Sequence, residues 1–484
     1  MVVHVGAFTD QSRLISAPIA RPWRFAHVFA LLVIGLSGQS AMADDVDRYI
    51  DQERKLYGVP AVVLGLIRDG KLVDARARGY ANVELNVRAR AQQAFEVGSI
   101  SKQFTAYAIL MLRDQGKLDL DTPVGRYLTD IPADWTKVTL HRLLTHTSGL
   151  PDLEEAFGYG IYRETPTDAD FLRRLAALPI EFEPGEKWHY SNTNYWLLAL
   201  VIEKLTGLSY SEFMQRNIFT PLGMTSTRSA LPSKVFPGRA SGYRRVGSLI
   251  ENRDAIQPNT GRGLGDITTT VADMARWERE QLAPSLVSPA TAALGGQPVL
   301  LNDGKKEPYG YGWSTERILP MATLSHEGQT AGFTATYIRV PERRLAVVVF
   351  SNCYAAPTDS VGKFVLRAAD PALRTPTPKA IADVEPQITL RVGKLLSSAA
   401  SAQTEWREEW FNPDYWRSLK PWLSEIAEFY HRLGERRSLT LVGRERQEDA
   451  ITLTYRVVYP NLSRLVVLRF DAQDRISSRD AIDE

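Results

Sequence analysis

The tetrapeptide Ser-Ile-Ser-Lys at residues 99–102 is the part of this chain best suited to chemistry. A serine and a lysine three positions apart share one side of a helix, which places an amine beside a hydroxyl. A lysine that loses its proton can activate such a serine without a histidine. Residues 103–115 read as a helix that is stopped by Gly116, at the position where helices prefer a left-handed residue, so Ser99 is predicted in the first turn. There the helix dipole favours the negative charge of an alkoxide or oxyanion.

Taken alone, Ser-x-x-Lys is more often a capping serine followed by a solvated lysine. A second motif, Tyr190-Ser191-Asn192, adds weight to the chemical interpretation. It follows a Pro-Gly turn and leads into an apolar helix predicted over residues 196–205. The phenol of Tyr190 ionises near a pH of about 10 in water, so it acts as a base only beside a cation such as Lys102.

A third motif, His326-Glu327-Gly328, precedes two runs that are typical of strands, residues 333–340 and 345–351. A glycine in an edge strand lets the backbone of a substrate come close. The three motifs are therefore candidates for one composite site.

The ordered set Ser-x-x-Lys, Tyr-x-Asn and His-x-Gly resembles the serine β-lactamase and penicillin-binding protein superfamily. It is nearest to the class C β-lactamase branch, with its D,D-peptidases, D-aminopeptidases and family VIII esterases. The resemblance covers about residues 46–367, and it implies an α/β (α+β) fold, an antiparallel sheet flanked by helices with an all-helical subdomain. Further segments that agree with this branch are Gly79–Asn82, Gly116–Val124, Leu143–Pro151 and Thr268–Trp277.

The resemblance implies a role for each motif residue. Ser99 corresponds to the acylated nucleophile and Lys102 to its activating partner. Tyr190 corresponds to the group that shuttles the proton between Ser99 and the leaving group, as base and then acid. Asn192 is expected to hold the carbonyl or amide side of the substrate. The oxyanion hole is expected to use the backbone N–H groups of Ser99 and Gln329.

One motif departs from the class C pattern, and this bears on the substrate. Class C β-lactamases carry Lys-Thr-Gly, whose cation attracts the carboxylate of penicillins, where this chain has His326-Glu327-Gly328. A neutral histidine supplies little charge. Glu327 repels an anionic substrate if it points into the pocket, unless strand alternation turns it away. We therefore expect esters or D-amino-acid amides and peptides to be better substrates than β-lactams.

Two alternatives stay open at this level. One is a penicillin-binding or sensing protein that is acylated but deacylates slowly, and the other is a true β-lactamase. A non-catalytic descendant of such an enzyme would not need all four motif residues, which are Ser99, Lys102, Tyr190 and Asn192. Their presence does not distinguish fast deacylation from slow.

Other chemical classes lack their motifs in this sequence. No G-x-S-x-G elbow occurs, which argues against an α/β-hydrolase. His326-Glu327 begins like the zinc motif H-E-x-x-H, but Thr330 offers no second ligand, so no metal site is predicted. No nucleotide fingerprint indicates a cofactor, and a net charge of +2 without a basic cluster does not indicate nucleic acid. His146 and His189 are predicted to stabilise loops by hydrogen bonds.

The first residues predict the location of the protein. Arg21 and Arg24 precede an apolar stretch over residues 25–36, and residues 40–43 read Ser-Ala-Met-Ala, as before a cleavage site. Residues 1–43 are therefore predicted to be a signal peptide of a periplasmic or secreted protein. The apolar stretch is short for a membrane span, and membrane attachment is expected only if the segment is retained. Cys353 is the only cysteine, so no intramolecular disulfide forms, which suits a large periplasmic enzyme.

The rest of the chain divides into a β-lactamase-like hydrolase domain (44–370), a proline-rich linker (371–387) and a small α+β C-terminal domain (388–484). Residues 388–432 look helical, and strands are predicted from residue 438 onward. This last domain holds no recognisable catalytic set. Its tryptophans are expected in the core or at a domain interface rather than in a ligand cage; they are Trp406, Trp410, Trp416 and Trp422.

The elements that must position the motifs follow from the order of strand-like and helix-like segments along the chain. Residues 61–67 and 72–80 read as a hairpin joined by the Asp-Gly turn at 69–70. We expect these strands to share a sheet with residues 333–340 and 345–351, so that both ends of the domain close one sheet. The residues between are predicted to be mostly helical, with long loops at 158–166 and 228–262 that could line the binding site.

Overall fold

The computed structural model describes residues 44–229, 234–247, 249–317, 319–397, 406–447, 450–460 and 462–483. The predicted signal peptide, residues 1–43, lies outside the described residues. Among the described helices, none is long and apolar enough to cross a membrane.

Strands and helices occur in groups along the described chain. The strands are β1 (Ala61–Arg68), β2 (Lys71–Asn82), β3 (Val87–Arg88), β4 (Phe95–Glu96), β5 (Arg228–Ser229), β6 (Gly242–Val246), β7 (Leu249–Arg253), β8 (Ile267–Thr269), β9 (Val299–Leu300), β10 (Lys306–Glu307), β11 (Leu324–Thr330), β12 (Phe333–Val340), β13 (Leu345–Ser351), β14 (Ser438–Gln447), β15 (Ala450–Val458), β16 (Ser463–Phe470) and β17 (Ile476–Asp483). The helices are α1 (44–57), α2 (Ser101–Asp114), α3 (Leu140–Leu144), α4 (Leu153–Phe157), α5 (Asp168–Ala176), α6 (Asn192–Thr206), α7 (Tyr210–Met214), α8 (Pro258–Gly261), α9 (Val271–Leu282), α10 (Pro289–Leu294), α11 (Thr358–Ala369), α12 (Pro386–Ser397), α13 (Pro413–Leu419) and α14 (Leu423–Leu433).

A six-stranded antiparallel sheet joins distant parts of the chain in the order β11-β12-β13-β1-β2-β3. The predicted hairpin is confirmed, and Asp69 and Gly70 both have positive φ (52° and 70°), as a type I′ turn requires. The predicted shared sheet is also confirmed, because β13 lies between β1 and β12. β11, which carries the His-Glu-Gly motif, is an edge strand.

Both faces of this sheet are buried, each in its own core. Val63 and Ile67 of β1 lie in a core with residues of α2, α6 and α9. Val62 and Leu64, which alternate with them, lie in a second core with residues of α11 and of the C-terminal elements. Burial on both faces explains why the central strands read as nearly continuous apolar runs rather than as alternating patterns.

The helix that follows Ser99 is confirmed, with a corrected start. Helix α2 begins at Ser101, and Ser99 lies just before it in a 3₁₀ turn over Gly98–Ile100 rather than in the first α-helical turn. Gly98 has φ of 51°, which is outside the helical region and prevents the helix from extending backward. At the other end, Gly116 has φ of 69°, the left-handed conformation that was predicted for it.

Two further sequence predictions need correction. Helix α6 begins at Asn192, four residues before the predicted start, because the carboxylate of Asp152 accepts a hydrogen bond from the backbone N–H of Asn192. The stretch at 228–262 is not a plain loop, since it contains the hairpin β6–β7 and the short helix α8. β7 is exposed along most of its length, so its residues lack the apolar alternation by which strands are recognised.

The C-terminal elements form a four-stranded antiparallel sheet in the order β14-β15-β16-β17, with helices α12 to α14. The helices predicted over residues 388–432 are confirmed where the structure describes them, residues 398–405 lie outside the described residues, and the strands predicted from residue 438 onward are confirmed. The apolar residues of this sheet lie in the same core as those of α11, so residues 46–484 form one compact unit. Trp406 and Trp416 are buried there as expected, whereas Trp422 is 42% exposed. Cys353 is buried and has a free thiol.

Candidate active site

The first two motifs meet at the ammonium group of Lys102. Its Nζ lies 2.9 Å from Ser99 Oγ, 2.8 Å from Asn192 Oδ1 and 2.9 Å from the carbonyl oxygen of Leu264. The lysine side chain is fully buried. The 3₁₀ turn at residues 98–100 and the first turn of α2 together supply the contact with Ser99, and the start of α6 supplies Asn192.

Burial makes Lys102 a base. Removal from water disfavours its charged form and lowers the pKa of Lys102 to about 7, although the carboxylates of Asp152 and Glu154 partly oppose this shift. A neutral amine has two N–H groups and one lone pair. If the N–H groups serve Asn192 and the Leu264 carbonyl, the lone pair is directed at the hydroxyl of Ser99.

Tyr190 lies on the other side of Ser99. Its side chain hydrogen-bonds to Ser99, and Lys102 Nζ lies 4.7 Å from the centre of its ring. Burial raises the pKa of Tyr190 well above its ordinary value, and the bond to Ser99 lowers it only in part. At neutral pH the phenol therefore keeps its proton, and Lys102 is the better proton acceptor of the two.

Asp152 is a site residue that the sequence analysis missed. One of its carboxylate oxygens accepts hydrogen bonds from the N–H groups of Glu154 and Glu155, at 2.8 and 2.9 Å, and so caps α4. The other accepts the N–H of Asn192. The Asp before Leu-Glu-Glu is a capping signal that sequence reasoning could have used. Its second bond, which fixes the second motif, depends on the tertiary structure.

The third motif approaches Ser99 through its backbone. A Cβ atom at Gly328 would overlap the carbonyl oxygen of Val97 and lie 2.9 Å from the nitrogen of Ser99. A Cβ atom at Gly98 would lie 2.5 Å from the nitrogen of Gln329. Two glycines thus allow β11 to lie against the turn at residues 98–100. The two N–H groups predicted to form the oxyanion hole belong to these adjacent segments.

His326 is neutral in this site. Its Nε2 lies 2.8 Å from the hydroxyl of Tyr309, and its Nδ1 lies 2.5 Å from the carbonyl oxygen of Glu327. Burial and the nearby Lys102 lower the pKa of His326 to about 3. The ring therefore supplies hydrogen bonding and no positive charge.

Glu327 is turned to the other face of β11. It pairs with Thr336 of β12, on the side of the sheet that packs against α11. Asp359 and Lys363 of α11 are the charged groups that influence it, and burial raises the pKa of its carboxyl. Strand alternation therefore places Glu327 on the face opposite His326, but its side chain still lines the outer part of the cavity that contains Ser99.

The two histidines that were expected to stabilise loops do so. His146 Nδ1 accepts a hydrogen bond of 3.1 Å from the N–H of Ser191, and its ring lies 4.3 Å from that of Tyr190. His189 lies between Glu181, at 2.5 Å, and Glu155, at 3.3 Å. The ligand atoms of these last three residues lie within 4.8 Å of one another, close enough for a metal ion, but their groups are already ion-paired.

A cavity of about 790 Å³ opens in front of Ser99 and is predominantly acidic. Asp152, Glu154 and Glu155 line one side of it. Other carboxylates line the side formed by β11 and its neighbours, with Lys363 as a basic group among them; these are Glu307, Glu316, Glu327 and Asp359. A negatively charged substrate would meet net repulsion in this cavity.

Comparison with known proteins places this geometry in context. A family model described as Beta-lactamase matches residues 46–370. Penicillin-binding protein 4* of Bacillus subtilis (strain 168) is 30% identical over 299 residues, which is 58% of this chain and 66% of that protein. A D-aminopeptidase of Gluconobacter oxydans (strain 621H) is 29% identical over 310 residues, which is 61% of this chain and 56% of that protein. The chain thus spans two thirds or less of the length of these two relatives.

Solved structures show the same fold. A D-amino acid amidase from Ochrobactrum anthropi SV3 superposes with a TM-score of 0.60 at 24% identity, covering 69% of this chain and 98% of that one. An octameric penicillin-binding protein homologue from Pyrococcus abyssi also has a TM-score of 0.60, at 22% identity, covering 91% of this chain and 98% of that one. The second match therefore covers a larger share of this chain than the first.

Proposed function

The chain belongs to the β-lactamase family, and we propose that it is a serine hydrolase that forms an acyl-enzyme at Ser99. Its substrates are esters or D-amino-acid amides and peptides. The observation that carries this proposal is the fully buried amine of Lys102, 2.9 Å from the Ser99 hydroxyl.

Each proton in the proposed reaction has a donor and an acceptor. Neutral Lys102 takes the proton of Ser99 Oγ as this oxygen attacks the substrate carbonyl. The N–H groups of Ser99 and Gln329 stabilise the oxyanion of the tetrahedral intermediate. Tyr190 gives its phenolic proton to the leaving group as the intermediate collapses, and Lys102 returns the serine proton to Tyr190.

Deacylation reverses these transfers with water. Lys102 accepts a proton from the attacking water, and the Ser99 oxygen leaves the acyl group and is reprotonated. Asn192 holds the lysine through Oδ1, so its amide nitrogen remains available for the carbonyl side of the substrate. A slow version of this second half would give a penicillin-binding protein instead of a hydrolase.

The charge of the cavity supports the substrate class. A penicillin or cephalosporin brings a carboxylate, which the acidic lining repels, and the neutral His326 does not compensate for it. An amide of a D-amino acid brings an ammonium group, which Glu154 and its neighbours attract. The likeness to a D-aminopeptidase points in the same direction.

We also propose that the protein is exported. The support is the pattern of Arg21, Arg24, the apolar stretch and the small residues before Asp44. N-terminal sequencing of the protein from cells tests this, with Asp44 as the expected first residue. An earlier first residue would show that the leader is retained or is cut elsewhere.

The decisive assay compares substrates on one enzyme. The purified chain from Asp44 is given p-nitrophenyl butyrate, D-phenylalanine amide and nitrocefin, with Ser99→Ala as the control. We expect turnover of the ester or the amide to exceed that of nitrocefin and to vanish in the variant. Equal or faster turnover of nitrocefin would make the protein a β-lactamase, and a stable acyl adduct without turnover would make it a penicillin-binding protein.

A further inference from the structure

A buried carboxyl lies behind the segment that carries Ser99. Glu96, three residues before the serine, is 3% exposed and pairs with Thr268 of β8. Its Oε2 is buried without a hydrogen-bond partner among the described residues. An unsatisfied buried polar atom is costly, so the presence of a carboxyl here requires an explanation.

A second unsatisfied group faces this carboxyl. Thr330 directly follows Gln329 on β11, and its hydroxyl is likewise buried without a close partner in the described part of the chain. The Thr330 hydroxyl lies near enough to favour the ionised form of the Glu96 carboxyl, and this influence lowers the pKa of Glu96 against the larger effect of burial. The two groups therefore sit on the two segments that supply the oxyanion donors, one before Ser99 and one after Gln329.

The other side of the carboxyl faces a polar cavity of about 630 Å³. Its charged lining groups are Lys234, Arg239, Arg253 and Asp254. The positive charge of Arg239 and a hydrogen bond with the backbone of Ile256 both favour the carboxylate form of Glu96. Burial outweighs these influences and raises the pKa of Glu96 to about 7.

Two of the other charged groups around this cavity have ion-pair partners. Arg253 pairs with Glu251 at 2.6 Å, and Asp254 pairs with Arg163 at 3.4 Å. None of these groups supplies a close cation to the unsatisfied Oε2 atom of Glu96. The neutral acid is therefore a well-populated form of Glu96 in the folded protein near neutral pH.

We propose that Glu96 is a positioning residue of the oxyanion hole, which it holds in its active form as the neutral acid. A neutral carboxyl can share a hydrogen bond with Thr330 and so tie the segment before Ser99 to the segment at Gln329. An ionised carboxyl places a negative charge behind donors that must stabilise another negative charge. This inference rests on the proposed acyl-enzyme chemistry.

The proposal predicts a bell-shaped pH profile of kcat. The rate rises with pH as Lys102 loses its proton and becomes a base. The rate falls again as Glu96 loses its proton, because the negative charge of its carboxylate then opposes the oxyanion that the backbone N–H groups must stabilise. Both groups have pKa values of about 7, so the maximum is narrow and lies near neutrality.

The test measures kcat and KM for p-nitrophenyl butyrate from about pH 5 to pH 10, on both sides of the pKa values of Lys102 and Glu96, in the unaltered chain, Glu96→Gln and Glu96→Ala. Glu96→Gln keeps the hydrogen-bonding shape without the charge, so we expect it to lose the alkaline fall and to keep kcat within about threefold at the optimum. Glu96→Ala loses the tie, and we expect kcat to fall about tenfold or more with KM nearly unchanged.

Glu280→Gln is the matched control. Glu280 is equally buried, but its carboxylate is occupied by Tyr107 and by Ser285 and Leu286, away from the oxyanion hole. We expect its profile to keep the alkaline fall. An unchanged alkaline fall in Glu96→Gln would overturn the proposal.

An infrared difference spectrum makes the test independent of turnover. The unaltered chain should show the band of a buried protonated carboxyl near neutral pH, which disappears in Glu96→Gln. Absence of this band would refute the role of Glu96 even in an active enzyme. If the band is present but no substrate is turned over, the proposed function has failed and the protonation of Glu96 stands.

Discussion

The catalytic centre and the C-terminal sheet are built on opposite principles. Around Ser99, the structure buries polar groups, among them Lys102, Asn192 and Glu96, and brings backbone segments into contact at glycines. In the C-terminal sheet, the residues of β15 alternate regularly between buried and half-buried positions. Burial of polar groups around Ser99 is unfavourable for folding, whereas burial of apolar side chains in the C-terminal sheet stabilises the fold.

The two regions therefore contribute differently: the residues around Ser99 supply reactivity, and the C-terminal sheet supplies stability. Burial lowers the pKa of Lys102 and so creates a base. Burial of this amine also lowers the free energy of unfolding, so favourable contacts in other parts of the fold must offset the loss. The core shared by the C-terminal sheet and α11 is one such place. Substitutions in the two regions should therefore separate activity from stability, and four experiments test that separation.

The largest effect is expected for Lys102→Ala. Loss of the base should lower kcat by about 10³- to 10⁴-fold, because general base catalysis typically contributes a factor of this order. Stopped-flow or steady-state kinetics with p-nitrophenyl butyrate measure this fall in kcat. Lys137→Ala, in an exposed ion pair with Glu183, serves as the control and should retain full activity. A loss below tenfold in Lys102→Ala would assign the base role to another group.

Gly328→Ala should have the next largest effect on activity. The added methyl group would overlap the Val97 carbonyl and displace β11 from the turn at Ser99, so kcat should fall by about 10²-fold, comparable to loss of one oxyanion donor. Gly393→Ala is the control, because its added methyl group meets neighbours only at ordinary contact distance. Normal kcat in Gly328→Ala would show that the close approach of β11 is not needed.

Leu453→Ala should affect stability and spare the chemistry. Leu453 is buried in the core of the C-terminal sheet, so its truncation should lower the free energy of unfolding by about 2 to 4 kcal/mol. Urea denaturation measures this change, and kcat at a temperature where the variant is folded should stay unchanged. Thr452→Ala, at a half-buried position of the same strand, should cost much less. A fall in kcat at constant folding would instead couple this sheet to the active site.

The smallest effect is a pH-dependent change in stability for Glu96→Gln. The folded-state pKa of Glu96 is about 7, above its ordinary value, so its contribution to stability is present in acid and is lost as pH rises through 7. Glutamine does not ionise. The variant should therefore match the unaltered chain at acid pH and exceed it by about 3 kcal/mol in alkali. Equal stability of the two proteins across this range would show that Glu96 is not buried as an acid.

Much of the fold could be predicted from local patterns. The helix after Ser99, the left-handed Gly116, the Asp-Gly hairpin and the paired strands were all confirmed, because they depend on propensity and periodicity over a few residues. The family resemblance named the motif residues, and the structure brings Ser99, Lys102, Tyr190, Asn192, His326, Gly328 and Gln329 together around one cavity or in contact with its lining.

Other features depend on contacts between distant residues. The bond from Asp152 to Asn192 moved the start of α6, and hairpin β6–β7 has too little burial to show in the sequence. The face of β11 on which Glu327 lies is set by its register with β12. A one-residue slip would reverse that face, and no local pattern specifies the register of a strand this polar.

The amino-acid sequence by itself determined which chemical groups are present, their order along the chain and the helix and strands that carry them. The tertiary structure decided how reactive those groups are. Lys102 becomes a base because it is buried. Asn192 and the carbonyl of Leu264, which lies 162 positions away, hold its amine beside Ser99. A pKa depends on the surrounding medium and charges in space, and folding alone assembles that medium from distant segments.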